Sequence, residues 1–180
     1  MRAFTGYHGA TAGCGIKIVS EQRFLPSTKP EEWLGIGVYF FEDSVGHAFN
    51  WCIKAREYVE YCVLKAIIIC ENDRVLDLTK PEAFELFQMA KREFKKAVLK
   101  KSRFFKNKRI PDGVILDRLC YERPIDLVRQ AFVTPPWGHG QIVPTQIQLC
   151  VKNPKCIGSI AMEVFNNGDG GNVAGTTQLS

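Results

Sequence analysis

The sequence has little of what announces a membrane, a secreted scaffold or a metal centre. No stretch nears the roughly 20 apolar residues that span a bilayer; the best run, Ala66–Cys70, is far shorter. The opening MRAFTGYHGA lacks the apolar core of a secretory leader. There is no CxxC pair, and Cys14, Cys52, Cys62, Cys70, Cys120, Cys150 and Cys156 do not cluster with the three histidines as metal ligands do. An odd cysteine count without framework spacing argues against a disulfide-stapled fold and for reduced, structural thiols in a cytoplasm. No internal repeat is visible. Acid is nearly missing from one region: residues 91–109 carry ten Lys or Arg against Glu93 alone, a local charge of +9 within a chain whose net charge is +5. The basicity is local.

What is present is ordinary globular composition, 46% apolar and 24% charged, in 180 residues. That is enough for one domain with a good core and too little for two comfortable ones. Residues 2–8 read as a strand and Cys14–Glu21 as a short helix with Ile16 and Val19 inward. Trp33–Phe41 reads as a strand, followed by a helix capped at Asp43 or Ser44 and running to about Glu57. Tyr61–Cys70 and Arg74–Leu78 read as strands. Thr79-Lys-Pro-Glu82 has the form of a capping box opening the longest helix, Pro81–Lys101. Beyond it, Gly113–Asp117, Arg129–Val133, Gln146–Lys152 and Cys156–Val164 read as strands. Thr134–Thr145 is a Pro/Gly-rich loop. About eight strands gathered toward the two ends of the chain, with three helices, predict α+β with an antiparallel or split sheet. The domain is placed at residues 1–165, with 166–180 as a flexible tail too poor in apolar residues to fold.

Within that frame, WLGIGVYFF (Trp33–Phe41) and the dipeptide His8-Gly9 stand out. Gly35 and Gly37 let something approach the main chain closely. Tyr39 presents a flat ring with a polar tip. Two aromatic-rich strands meeting over a Gly-lined slot suit a planar, amide-bearing ligand.

The order HG, then GIGVYF, then a helix carrying AFNWC, with DGVILD, VRQAF and QIQLCVKNPKCI later, resembles the ADP-ribosyltransferases of the diphtheria-toxin and poly(ADP-ribose) polymerase type. Their signature is a His-Tyr-Glu/Gln/Asp triad. The resemblance covers roughly residues 3–160 and implies split antiparallel sheets gripping NAD, used as a co-substrate without a metal. It implies His8, Tyr39 and Gln148 as catalytic. It places His8 on ribose hydroxyls, the backbone of Gly9 on the nicotinamide amide, and Gly37, Tyr39 and Trp51 around the nicotinamide ring. Where many members carry Glu, this chain has Gln148, which donates and accepts hydrogen bonds but takes no proton. Chain elongation is therefore not expected. Gln occurs natively in some members, and an inactivating Glu→Gln change would look the same.

The resemblance also implies a macromolecular acceptor. Trp137, His139 and Gln146 fall where the family recognises it. Lys95, Lys96, Lys100 and Lys101 could grip phosphates, with Phe104 and Phe105 following, which favours a nucleic-acid acceptor such as RNA. The same charge would also suit an acidic protein acceptor or an antitoxin, or be a solvated helix face. The expectation is a cytoplasmic mono-ADP-ribosyltransferase, a toxin or defence effector with no membrane partner. The competing reading is an NAD-fold binding module whose Gln148 marks a decayed site.

Overall fold

The computed structural model describes residues 1–29, 32–101, 110–133, 145–168 and 173–174. Its strands are β1 (Arg2–Thr11), β2 (Val38–Glu42), β3 (Tyr61–Cys70), β4 (Val75–Asp77), β5 (Leu127–Phe132), β6 (Gln146–Val151), β7 (Ile157–Asn166) and β8 (Val173–Ala174). Its α-helices are α1 (Ala12–Glu21), α2 (Val45–Asn50), α3 (Pro81–Lys101) and α4 (Asp112–Glu122). The class is α+β. All eight strands join one mixed sheet in the order β4-β5-β6-β2-β1-β3-β7-β8. Only β4 and β5 run parallel.

The expected pair of separate sheets is thus a single hydrogen-bonded sheet, but its two halves meet along a narrow seam. β1 pairs with β3 along its whole length, from Arg2↔Cys70 to Thr11↔Tyr61. With β2 it pairs only at Gly6↔Glu42 and Tyr7↔Phe41. Past Tyr7↔Phe41 the halves part.

Both faces are covered. On one, α1 and Phe24 pack over a core of Phe4, Phe40, Leu64, Ile68, Leu127, Leu149 and Val151. Gly15 lets α1 lie so close to β3 that a Cβ there would collide with Cys62 Sγ. Ala12 and Gly15 are the buried positions of that helix. Val19 packs on the core as expected, but its partner there is Ile18; Ile16, also expected inward, is 55% exposed. On the other face α3 and α4 cover one end, around Leu76, Phe87, Leu116 and Cys150, and α2 covers the centre at Phe41 and Val63.

Several other expectations are corrected. Gly113–Asp117 is helical, part of α4, with Ile115, Leu116 and Leu119 buried at helical spacing. A short apolar run does not distinguish the two structures by periodicity. Of the Trp33–Phe41 run only the part from Val38 on is strand, in β2 (Val38–Glu42); the residues before it form a bend held by an isolated bridge, Ser27↔Gly37. Ser44 does cap α2, its Oγ accepting from His47 N–H at 3.2 Å. That helix widens into a π turn over Trp51–Ala55 rather than continuing as α to Glu57. The Thr79 hydroxyl donates to Asp77 Oδ1 at 2.6 Å, so it serves the β4–β5 edge rather than a capping box. The tail is not wholly free, since β7 runs to Asn166 and β8 pairs with it at Val164↔Ala174 and Phe165↔Val173.

Candidate functional site

The seam between β1 and β2 opens into a cavity of about 760 Å³, within the range of small-molecule sites. His8, Gly9, Gly37, Tyr39, Trp51, Gln146 and Gln148 all line it. Residues separated by up to 140 positions are brought to one place by the β1–β2–β6 order.

The seam has a specific backbone chemistry. Asp43 N–H donates to Thr5 O at 2.9 Å, so the main-chain groups of odd-numbered β1 residues point toward β2. The ladder continues to Tyr7↔Phe41 and ends. The next positions are Gly9 and Tyr39, and here the Tyr39 carbonyl accepts from His8 Nδ1 at 2.7 Å instead. Strand period therefore aims the Gly9 N–H and C=O into the opening. An amide ligand needs one donor and one acceptor side by side, and an edge residue presents that pair.

The bond to a carbonyl assigns the proton of His8 to Nδ1 and leaves Nε2 as an acceptor in the neutral ring. Burial pushes the His8 pKa down, against the hydrogen bond to the Tyr39 backbone, which pushes it up. The ring is neutral at neutral pH. It stands edge-on to Phe24 at 5.0 Å and to Phe40 at 5.8 Å between centroids, which fixes its plane. By alternation His8 and Tyr39 leave the sheet on opposite faces. The cavity is lined from both faces, by Leu25 and Phe40 on the His8 side and by Trp51 and Gln148 on the Tyr39 side.

Tyr39 is held by its hydroxyl, which donates to Gly35 O at 2.7 Å and accepts from Leu34 N–H at 3.0 Å. Burial pushes its phenol above the usual range, so it stays a donor. The bend it grips is clamped again from α4 and β6. Ile36 N–H donates to both carboxylate oxygens of Asp117, at 2.9 and 3.1 Å. Lys152 Nζ donates to Leu34 O at 2.5 Å, Ile36 O at 2.8 Å and Asp117 Oδ1 at 2.8 Å. Gly35 has φ +81°, and a Cβ there would strike Asp117.

The two glycines do admit a close approach. What approaches them is the protein itself. A Cβ on Gly37 would lie 2.5 Å from Cys150 Sγ, and its N–H and C=O are bonded to Ser27. Gly37 shapes the wall but offers no free amide. Gly9 is similarly pressed: its Cβ would lie 2.5 Å from Cys52 Sγ, 2.9 Å from Ala48 O and 3.1 Å from Trp51 Cε3. Absence of a side chain lets the indole of Trp51 settle directly over the slot edge.

The π turn sets the outer wall. Arg56 N–H donates to Trp51 O at 3.1 Å, and its guanidinium lies 4.7 Å from the centre of the Trp51 ring. Such wide turns are rare and are frequently found at functional sites. His47 lies on the cavity wall with Asn50, Lys54 and Arg56. The signal was available: His47, Asn50, Trp51 and Lys54 recur at three- and four-residue spacing on one helix face.

Gln148 sits opposite Phe41 on β2 and Gln130 on β5. Gln146, two residues earlier, shares its face. Lys95 and Lys96 are exposed on α3 and do not line the cavity. The side chains of Lys100 and Lys101, and the whole of Trp137 and His139, lie outside the described residues. The seven cysteines are free thiols. Burial pushes Cys52 and Cys150 up to about 11 and Cys62, Cys70 and Cys120 up to about 12, so these five are protonated and unreactive at neutral pH. Among the described residues no three His, Cys, Asp or Glu side chains form a metal-binding group, and no helix is long and apolar enough to cross a membrane.

The chain belongs to the same family as the uncharacterized protein MJ0359 of Methanocaldococcus jannaschii. The two are 30% identical over 181 aligned positions, which take in 85% of this chain and 84% of that protein. No family model matches the chain, and no solved structure matches it.

Proposed function

We propose that the chain is a mono-ADP-ribosyltransferase that uses NAD as co-substrate and transfers to a macromolecular acceptor, nucleic acid in preference to protein. The observation that carries this reading is the convergence on one cavity of His8, the Gly9 backbone pair, Tyr39, Trp51 and Gln148, each of a type that the chemistry requires. On this reading the sheet seam is the NAD cleft of an ADP-ribosyltransferase fold.

The residues present fit the dinucleotide. Gly9 N–H and C=O would take the nicotinamide amide, with the Trp51 indole and the immobilised Tyr39 ring as aromatic walls. Lys54 and Arg56 on the same wall supply positive charge for the diphosphate. His8 Nε2, an acceptor in the neutral ring, would receive a ribose hydroxyl. The chemistry that bound NAD supplies is an activated glycosidic bond between ribose and nicotinamide, exchanged for a bond to the acceptor's nucleophile.

The protein's part is to hold, orient and exclude water. Polar groups fixed before reaction stabilise developing charge without reorganising, each contributing about 2–4 kcal/mol. Gln148 can orient a hydroxyl through its amide but cannot remove a proton, which favours a single transfer over chain growth. The same property favours a second reading, a binding module that holds NAD without cleaving it. Incubation with NAD labelled in the adenosine half, in lysate, followed by nuclease or protease digestion, separates these readings. Label removed by nuclease and resistant to protease supports a nucleic-acid acceptor; the reverse indicates a protein acceptor. Binding of NAD with neither label transfer nor nicotinamide release indicates the module. A toxin or defence role, with an antitoxin partner, is part of the proposal and follows from the resemblance alone.

A further inference from the structure

Gln148 takes no proton, yet a side chain that does stands across Phe41 from it. His47 lines the cavity. Its ring lies 6.0 Å from that of Phe41 between centroids, with planes inclined by 39°. Phe41 is paired in register with Gln148. Residues directly opposite one another in an antiparallel pair share a face, with Cβ atoms about 5 Å apart. The face is the one that α2 covers, where Phe41, Ala48 and Trp51 pack together. His47 also comes one helical turn before Trp51, on the same side of the helix. It borders the Trp51 wall and, through Phe41, Gln148.

Its ring is not spent on structure. The cap of α2 uses the His47 main-chain N–H, which binds Ser44 Oγ. Among the described residues no group hydrogen-bonds the His47 ring, and none bonds the Gln148 side-chain amide. The other proton acceptors of the cavity are committed. His8 is bound to Tyr39 O and lies on the opposite face. The Tyr39 hydroxyl is tied to Gly35 and Leu34. The Glu32 carboxylate accepts from Ser27 Oγ at 2.8 Å.

We infer that His47 is the base of the transfer, taking the proton that the acceptor's nucleophile gives up as it bonds to the ribose. This rests on the transferase reading and supplies what Gln148 lacks. The acceptor's O–H or N–H forms the new bond to the ribose carbon. The bond from that carbon to nicotinamide breaks, and its electron pair leaves with nicotinamide. The proton passes to a ring nitrogen of His47 and from there to solvent. Imidazoles change charge between pH 5 and 8 and suit the task at neutral pH. The titratable and charged groups around the ring come from several elements. Lys54, Arg56 and the Cys52 thiol are on its own helix and turn, and Asp43 is exposed ahead of the cap. Tyr7 of β1 packs on the Phe41 cluster, with Lys65 of β3 paired to it. Lys29 and Glu32 line the cavity as well. β6 brings only Gln146 and Gln148 there, and Glu42 of β2 holds Arg129 on the other face.

The test compares wild type with His47→Gln, which keeps a polar side chain and leaves the Ser44 cap in place. The full chain is given NAD labelled in the adenosine half, with cell lysate as a mixed RNA and protein acceptor. Label transfer is read between about pH 5 and 8. A base at His47 predicts a wild-type rate that climbs with pH along an acid limb. It predicts a loss of about 100-fold or more in His47→Gln at neutral pH, the size of one general base, and no acid limb in what remains. NAD affinity by calorimetry should be the same in both, since the base touches the acceptor and not the dinucleotide; that reading also shows the variant to be folded. Glu32→Gln should keep the limb. A limb that survives in His47→Gln, a limb lost in Glu32→Gln, undiminished transfer by His47→Gln, or weakened NAD binding by it would each overturn the base and leave the transferase reading standing. Wild type that binds NAD but labels nothing in the lysate would remove the transferase reading, and the base with it.

Discussion

His8 Nδ1 donates to the carbonyl of Tyr39 at 2.7 Å, across the point where β1 and β2 part company. The contact does the work of a ladder bond that the main chain no longer makes. It also selects the neutral tautomer and leaves the backbone pair of Gly9 facing the opening. His8→Ala should therefore lower nicotinamide release from NAD by at least about 100-fold, the scale of losing one preorganised polar group. The isolated variant should keep a wild-type circular dichroism spectrum. Unchanged release would remove His8 from the site.

The same histidine gives a pH signature. Its folded pKa lies below the unfolded value of about 6.5. Between those two values the unfolded chain binds the proton and the folded chain does not, so stability rises with pH across that window and is level, for this group, above it. Urea unfolding at pH 7.5 and 5.5 should show a loss on acidification in wild type that is smaller in His8→Gln. Identical losses in both would mean that the ring is not held neutral.

Gly9→Ala tests the packing behind the slot. The added Cβ would meet Cys52 Sγ, which can turn, and Ala48 O, which is helix backbone and cannot. A cost of about 1–3 kcal/mol is expected from overpacking. NAD affinity measured by calorimetry should fall as well, because α2 must shift away from the slot edge. Cys52→Ala should recover only part of the stability.

Lys152 and Asp117 clamp the bend from beneath. Lys152 is 10% exposed at its side chain, and its ammonium meets two carbonyls and a carboxylate. Lys152→Met should destabilise by about 3 kcal/mol, since it strands those oxygens. Asp117→Asn should cost less, since Asp117 is the more exposed partner. The double variant should lose less than the sum of the two, as contacting groups do. Strict additivity, read from denaturant curves, would contradict the clamp.

Legibility from sequence divides along physical lines. Tyr61–Cys70 and Pro81–Lys101 were readable to the residue because long, strongly patterned segments carry their own period. The five-residue GVILD was not, since its helix is decided by packing of Ile115, Leu116 and Leu119 under α3 and by the close contact of Gly113 with Glu32. The convergence of His8, Tyr39, Trp51 and Gln148 on one cavity was implied by the family resemblance alone; no local pattern in the chain joins the four. The roles of Gly35 and Gly37 were not legible, because the groups that crowd them, Asp117 and Cys150, are about 80 and 110 positions away and nothing local announces them.

Gln148 bears most directly on the central claim, that the seam holds NAD so that its ADP-ribose can be handed on. Purified protein and its Gln148→Ala and Gln148→Glu variants, incubated with NAD and total single-stranded RNA, are followed by nicotinamide release and by label on the RNA. The account predicts release and labelling by wild type, loss of both by about 100- to 1,000-fold in Gln148→Ala, and retention of release in Gln148→Glu. Nicotinamide release that is absent in wild type and in Gln148→Glu, or that persists undiminished in Gln148→Ala, would contradict it.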